Sequence, residues 1–350
     1  MSISCSIPCN LCGGRDVAPL SEKSRTGKPL RTVICVACGL VWTDPRPHDA
    51  GQFYRENYRV AYKNAYRPRM KHVLRAGKVA LSRLEKIRSL LSSPKAVLDV
   101  GSGGGEFAYL LASMGHRVSG IEPNQGYAEY SVAHYGLTAH IGLVQDSVLP
   151  PDTFDVITMW HVLEHLEDPR AVLGRVRSWL KPDGALIVEV PNAEATCQSP
   201  KSTFHEAHLY NFNMATLGRL ARICGFEEAS RALSSDGGNL TMLFTRSQSH
   251  PVAPQGATIP GNCERISAIV QGHRAWRHAL TLTPYRRTYN RLRRAFIERR
   301  ETAGVRSPKH LLDTLYRNAP TTCSPEATLP ASGSQTPHES RSFSLQQSRQ

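Results

Sequence analysis

Ala96-Val-Leu-Asp-Val-Gly-Ser-Gly-Gly-Gly-Glu106 is the stretch that sets the fold class. Its first five residues read as a short buried strand, bounded by Pro94 on one side and glycines on the other. Glycines directly after a strand permit a sharp turn into the helix predicted over Phe107–Met114, which Gly115 stops. The same alternation continues outward. Strands are predicted over Arg117–Ile121, Thr138–Ile141, Asp155–Met159 and Ala185–Val190, and helices over Tyr127–Tyr135, Pro169–Leu180 and Ala215–Cys224. Strands alternating with helices imply a parallel sheet with crossover connections. The pattern then breaks. Phe226–Leu233 and Leu240–Thr245 are separated by six residues, enough for an antiparallel hairpin and too few for a crossover. The expectation is an α/β, Rossmann-like sheet of seven mostly parallel strands ending in an antiparallel hairpin.

The loop itself selects among ligands. A phosphate-binding loop ends in Gly-Lys-Ser/Thr, which is absent, and a dinucleotide loop places Gly or Ala where this chain has Glu106. Between Ala96 and His116 there is no Lys or Arg but there are two acids, Asp99 and Glu106. A ligand carrying an ammonium and a sulfonium suits that charge better than a pyrophosphate. Glu122 follows Gly101 by 21 residues, at the end of the second strand, where an acid accepts hydrogen bonds from ribose hydroxyls.

The D-x-G-x-G-x-G loop followed by Val118-Ser-Gly-Ile-Glu122 resembles the class I S-adenosylmethionine-dependent methyltransferases, and the sheet with its final hairpin is their layout. Phe154–Pro169, Leu180-Lys-Pro-Asp-Gly184, Val190-Pro-Asn192 and His208-Leu-Tyr-Asn-Phe212 continue the likeness. So does Cys38-Gly-Leu-Val…Asp44-Pro-Arg-Pro47, which points to a methyltransferase-23-like branch with an N-terminal zinc ribbon. The similarity covers residues 9–60 and 95–245 and leaves out the C-terminal arm. It implies that Asp99 meets the methionine ammonium, directly or through water, and that Gly101, Gly103 and Gly105 line the amino-acid and ribose portion. Glu122 would bind the ribose hydroxyls, with Pro123 beside the adenine. One position departs from the family: Leu143 stands where many relatives have an Asp that reads the adenine amino group. Adenine recognition then falls to the Val144 and Gln145 backbone and the Gln145 amide.

Two C-x-x-C-G knuckles, Cys9/Cys12 and Cys35/Cys38, lie 22 residues apart. Two tight turns each offering two thiolates supply the four soft ligands of a structural Zn²⁺ site. Two disulfides are the competing reading, disfavoured in a cytosolic chain. The other five cysteines show no pairing pattern.

Methyl transfer needs a base only when the acceptor must lose a proton. The candidates are His161, Glu164, His165, His205 and His208, with His165 and His161 first. On a helix, His161, Glu164 and His165 would share one face and could hold a divalent metal. The reading favoured here is that Glu164 and His165 cap and pack the helix, and that Trp160 packs.

Charge divides the chain in three. Residues 1–95 carry +12, residues 96–250 carry −7 and residues 251–350 carry +9, for a total of +14. The expected division is a zinc-ribbon-like module (1–47), a basic helical connector (48–94), a methyltransferase domain (95–250), a linker with a basic helical extension (251–318) and a disordered tail (319–350). In the connector, Val73, Leu74, Val79, Leu84, Ile87 and Leu91 are read as its apolar positions. No run of 18 apolar residues or leader-like N-terminus occurs, so a transmembrane segment is not expected and the cytoplasm is the expected address. The function expected is methylation of a small-molecule or glycan acceptor. Two alternatives stay open. One is an RNA methyltransferase whose ribbon and basic arms hold phosphates, with Tyr54, Tyr58, Tyr62 and Tyr66 among the basic residues. The other is a non-enzymatic zinc-ribbon binding protein. The basic C-terminal helices are also suited to an anionic membrane surface.

Overall fold

The computed structural model describes residues 3–46, 67–248, 257–317 and 319. The tyrosines at 54, 58, 62 and 66, the first part of the expected connector and nearly all of the expected tail lie outside these residues.

Seven strands form the central sheet: β5 (Ala96–Val100), β6 (Arg117–Glu122), β7 (Thr138–Ile141), β8 (Phe154–Trp160), β9 (Leu180–Pro191), β11 (Phe226–Leu233) and β12 (Asn239–Arg246). Their order is β11-β12-β9-β8-β5-β6-β7. The five middle-to-edge strands β9, β8, β5, β6 and β7 run parallel, while β12 pairs antiparallel with both β9 and β11. This is the predicted sheet with its hairpin. Every residue of β5 is buried, as expected of a central parallel strand covered on both faces. Period-two alternation sends Leu98 and Val100 into one core and Val97 into the other, and does the same for Leu186 and Val188 against Ile187 on β9.

Helices cover both faces. On one side α1 (Met70–Ile87) and α2 (Glu106–Ser113) contribute Val73, Leu74, Leu84 and Phe107 to one core. On the other, α4 (Pro169–Trp179) and α5 (Met214–Ile223) contribute Val172, Leu173 and Leu217. Between β6 and β7 runs α3 (Gln125–Tyr135). The helix starts are written in the sequence. Asp168 Oδ1 accepts the Ala171 N–H at 2.9 Å with Pro169 in the first turn, and Asn213 and Thr216 form a reciprocal capping box.

The N-terminal segment forms a second sheet from β1 (Ile3–Ser4), β2 (Asp16–Lys23), β3 (Pro29–Cys35) and β4 (Val41–Thr43), and β10 (Tyr210–Asn211) supplies its fifth strand. Tyr210 pairs with Trp42 and Asn211 with Val41. The ribbon is thus stitched into the central domain, and Leu11, Val33 and Trp42 belong to the same core as Leu173 and Leu217.

The C-terminal arm is also more than an appendage. Beyond α6 (Asn262–Gly272), α7 (Ala275–Ala279) and α8 (Thr283–Thr302), α9 (Pro308–Tyr316) buries Leu311, Leu312 and Tyr316 in the α1–α2 core. The Tyr316 hydroxyl donates to the Glu106 carbonyl at 2.9 Å.

Candidate active site

A cavity of about 640 Å³ lies at the carboxyl ends of β5, β6 and β8, the place where open α/β sheets take their ligands. The glycine loop forms its floor. Gly101 and Ser102 both donate backbone N–H groups to the Ile121 carbonyl, at 2.7 and 3.1 Å, which ties the loop to β6. Gly101 has φ +74°, and a Cβ there would lie 2.5 Å from Val162 Cγ2. Gly105, at φ +85°, turns the chain into α2, and a Cβ on it would lie 2.6 Å from Ser131 Cβ. Glu122 is buried at the tip of β6. Its Oε2 accepts the Gly103 N–H at 2.7 Å and its Oε1 the Asn124 N–H at 3.1 Å, fixing the plane of the carboxylate.

Of the eight cofactor residues expected from the sequence, Gly101, Gly103, Glu122, Pro123, Val144 and Gln145 line this cavity, and Leu143 lies beside them. Asp99 and Gly105 stand behind the lining. Asp99 is 2% exposed and accepts the Thr158 hydroxyl at 2.7 Å. Burial pushes its carboxyl up to about 6, against the pull of the Thr158 hydrogen bond and the Arg83 charge. The Gln145 Oε1 is buried and has no hydrogen-bond partner among the described residues.

The helix expected to carry His161, Glu164 and His165 on one face is a single 3-10 turn, Leu163–His165. His161 precedes it with φ +57°, a conformation that costs a side chain-bearing residue roughly 1–3 kcal/mol and is held here by its surroundings. Its backbone N–H donates to the Glu189 carbonyl at 2.8 Å. Its Nδ1 is 3.3 Å from Glu164 Oε1 and its Nε2 3.3 Å from Glu189 Oε1. Glu189, on β9, also receives the Lys86 ammonium and the Thr241 hydroxyl. Burial opposes the imidazolium, but the two carboxylates prevail and raise His161 to about 9. Glu164 and Glu189 are held down at about 2 in spite of burial, Glu164 by His165 and His161, Glu189 by His161 and Lys86.

Among the described residues, the histidine and carboxylate groups whose ligating atoms converge within 4.8 Å are Glu164, His165 and His208, not His161, Glu164 and His165. Glu164 is 1% exposed, and neither of its oxygens meets a donor in hydrogen-bonding geometry among the described residues. His165 Nδ1 donates to the Ala207 carbonyl at 2.8 Å, which leaves Nε2 as the basic nitrogen. The His208 ring stacks on His205 at 4.6 Å and meets His165 edge-on at 4.9 Å. Burial lowers His205 to about 4 and His208 well below its ordinary value.

One wall of the cavity went unread in the sequence. His72, Ala76, Val79 and Arg83 of α1, with Arg75, face the glycine loop across it. Val79, counted above among the apolar positions of this helix, is 47% exposed. The signal was present: positions 72, 76, 79 and 83 repeat at helical spacing, one face over from the core stripe of Val73, Leu84 and Ile87. Trp160 packs as expected, edge-on to Phe107 at 5.6 Å with the Arg83 guanidinium 4.9 Å above its ring. It also lines the cavity.

Away from this cleft, Cys9, Cys12, Cys35 and Cys38 bring their four sulfur atoms within 4.8 Å of one another. Cys9 and Cys38 are 3.5 Å apart, as are Cys12 and Cys35. Tetrahedral Zn–S bonds of about 2.3 Å set sulfurs about 3.8 Å apart, so the four thiols are grouped at the scale such an ion needs. The Cys9–Gly14 and Cys35–Leu40 turns are closed by backbone hydrogen bonds in which the Cys9 N–H donates to the Gly14 carbonyl and the Cys35 N–H to the Leu40 carbonyl, both at 2.9 Å.

Residues 67–231 match a family model described as a methyltransferase domain. The match opens ahead of the first central strand and so takes in α1. The ubiquinone biosynthesis O-methyltransferase of Haemophilus ducreyi is 36% identical over 108 residues, 28% of this chain and 46% of that protein. Phosphoethanolamine N-methyltransferase 3 of Arabidopsis thaliana is 29% identical over 188 residues, 48% of this chain and 37% of that protein. The chain thus spans less than half the length of these relatives. A solved structure of a SAM-dependent methyltransferase from Archaeoglobus fulgidus aligns with a TM-score of 0.42 at 16% identity, over 48% of this chain and 94% of that one.

Proposed function

We propose that the protein is a class I methyltransferase that methylates a small-molecule or carbohydrate-like acceptor with S-adenosylmethionine, starting from the match of residues 67–231 to a methyltransferase domain. The observation that carries this reading is one cavity with two unlike halves. The glycine loop and Glu122 form an acidic side, and α1 adds a wall with His72, Arg75 and Arg83. When bound, the cofactor supplies an electrophilic methyl group on a sulfonium. Glu122, its plane fixed by Gly103 and Asn124, accepts from the ribose hydroxyls. Pro123, Val144 and Gln145 bracket the base, and the unsatisfied Gln145 oxygen supports its accepting from the adenine amino group. Asp99 places negative charge beneath the loop, on the ammonium side.

The acceptor lies between the α1 wall and the histidines. His165 takes the base role, because its Nδ1 is committed to Ala207 and its Nε2 is free of a proton when the ring is neutral. His161, cationic at neutral pH between Glu164 and Glu189, orients the acceptor and does not take its proton. A structural zinc in the Cys9, Cys12, Cys35 and Cys38 set is part of this reading, supported by their spacing.

The test is incubation of the full chain with methyl-labelled cofactor and fractionated cell extract, beside calorimetry with the cofactor alone. Affinity in roughly the micromolar range, lost in Glu122→Ala, and label entering small molecules or glycans is the expected result. Label confined to RNA, or no cofactor binding, defeats the reading.

A further inference from the structure

We infer that the outer face of α8 is a docking surface for an anionic lipid bilayer. Tyr285, Tyr289, Leu292 and Phe296 recur at intervals of four, three and four residues, which puts them in one stripe along the helix. Leu282 extends it by one turn. These five side chains are between 64% and 75% exposed, and among the described residues none covers the stripe. Scattered apolar residues on a surface need no account, but five in register do.

The opposite side of α8 is already occupied. Glu298 is buried there in a bidentate pair with Arg75 of α1, and Glu301 pairs with Lys78 at 2.5 Å. The helix is therefore clamped to the domain with its apolar stripe turned outward. Arg286, Arg293 and Arg300, at seven-residue intervals, border that stripe on one side, and Arg299 borders it on the other; all four are exposed. From Arg274 to Arg300 the chain carries nine arginines and a single acid, Glu298, which is spent on Arg75.

That charge distribution chooses the occupant. A second copy of the helix laid along the stripe would bring arginine rows together with no acid to answer them. A bilayer with anionic headgroups answers both halves of the surface: guanidinium groups lie at the phosphates while tyrosine, leucine and phenylalanine enter the acyl boundary. No helix among the described residues is long and apolar enough to cross a membrane, so α8 lies in the plane of the interface. Arg75 joins this surface to the rest of the molecule, since it holds Glu298 and also lines the cavity. The inference does not depend on the methyltransferase reading.

Flotation of the full chain with vesicles tests it. The vesicles are phosphatidylcholine alone or with about 30 mol% phosphatidylglycerol, in about 0.1 M and about 0.5 M salt. Binding is expected to the anionic vesicles only and to fall at the higher salt. Arg286→Gln/Arg293→Gln/Arg300→Gln should weaken it about a hundredfold, at roughly fivefold per arginine. Tyr289→Ser/Leu292→Ser/Phe296→Ser should weaken it at least as much. Every substituted side chain is exposed, and an unchanged unfolding midpoint certifies each variant. Cofactor affinity measured on the same samples reads the other proposal separately. The inference is overturned if the wild type stays unbound. It is equally overturned if the stripe variant floats like the wild type, or if the stripe holds a dimer or RNA in place of vesicles.

Discussion

Gly101→Ala isolates the cofactor loop from everything else in the cleft. The position has φ +74°, where alanine pays roughly 1 kcal/mol that glycine does not. The added methyl would also lie 2.5 Å from Val162 Cγ2, an overlap that must move either the loop or Val162, at about 1–3 kcal/mol. Val162 has little freedom, because it follows His161 in its left-handed conformation and its carbonyl accepts the His165 N–H at 3.0 Å. The two costs together are about 2–4 kcal/mol, or a loss of about 30- to 1,000-fold in cofactor affinity if the loop must recover its shape to bind. Calorimetry with S-adenosylmethionine reads this directly. Gly101→Ala/Val162→Ala separates the costs: relieving the overlap should recover most of the affinity and leave about a fivefold deficit from the backbone. Unchanged affinity in the single variant would refute the close approach of loop and Val162. So would a double variant no better than the single one.

Three further outcomes are expected. A strong chelator should strip one zinc per chain, detected by elemental analysis, and lower the thermal midpoint; native stability in a metal-free sample would count against the cysteine site. The His161 cluster should give a pH signature in urea titrations. Because His161 is raised from 6.5 to about 9, its contribution is full below about pH 6.5 and is lost as pH climbs through about 9. Glu189 and Glu164, lowered from 4.5 to about 2, contribute above about pH 4.5 and lose it as pH falls toward 2. The stability gap between the wild type and Glu189→Gln should thus be widest between those limits, and a gap that ignores pH would exclude the cluster. Leu312→Ala, at a fully buried contact with Gly77 of α1, should cost about 2–5 kcal/mol in the urea midpoint, which a loose C-terminal arm would not.

The central sheet was legible because its signals are local: apolar runs of strand length, a glycine loop, and a six-residue hairpin connection. Six of the eight expected cofactor residues lie on the cavity for the same reason, since loop and acid sit at the tips of adjacent strands. What the sequence concealed is long-range. Nothing local in Tyr210-Asn211 says that it pairs with Trp42 and Val41, 168 to 170 residues away. Nor does the 161–165 segment reveal that Glu189, on the neighbouring strand, draws His161 out of a helix and into a left-handed turn. The α9 contact with α1 was hidden by composition. Seven arginines over 286–300 make the arm read as solvated throughout, although Leu311 and Leu312 lie just beyond them.

The ribbon and the histidines are one mechanical unit. Residues 204–212 carry His205 and His208 and run between the two sheets. The Phe204 carbonyl accepts the Arg25 N–H at 2.7 Å, the Leu209 carbonyl accepts the Thr43 N–H at 3.0 Å, and β10 completes the ribbon sheet. On its other side the same segment presents the Ala207 carbonyl to His165. That contact decides which nitrogen of His165 carries the proton, so the ribbon reaches the cleft through two backbone hydrogen bonds, a strand and the His165 side-chain bond to Ala207. Releasing the cysteine set would loosen β4 first, then β10, and with it the acceptor that fixes the His165 tautomer. A metal 's effect on turnover would then appear without any metal in the cleft, and it should travel with the His165 ring signals, which report the Ala207 contact, rather than with cofactor affinity, which depends on a loop tied to β6.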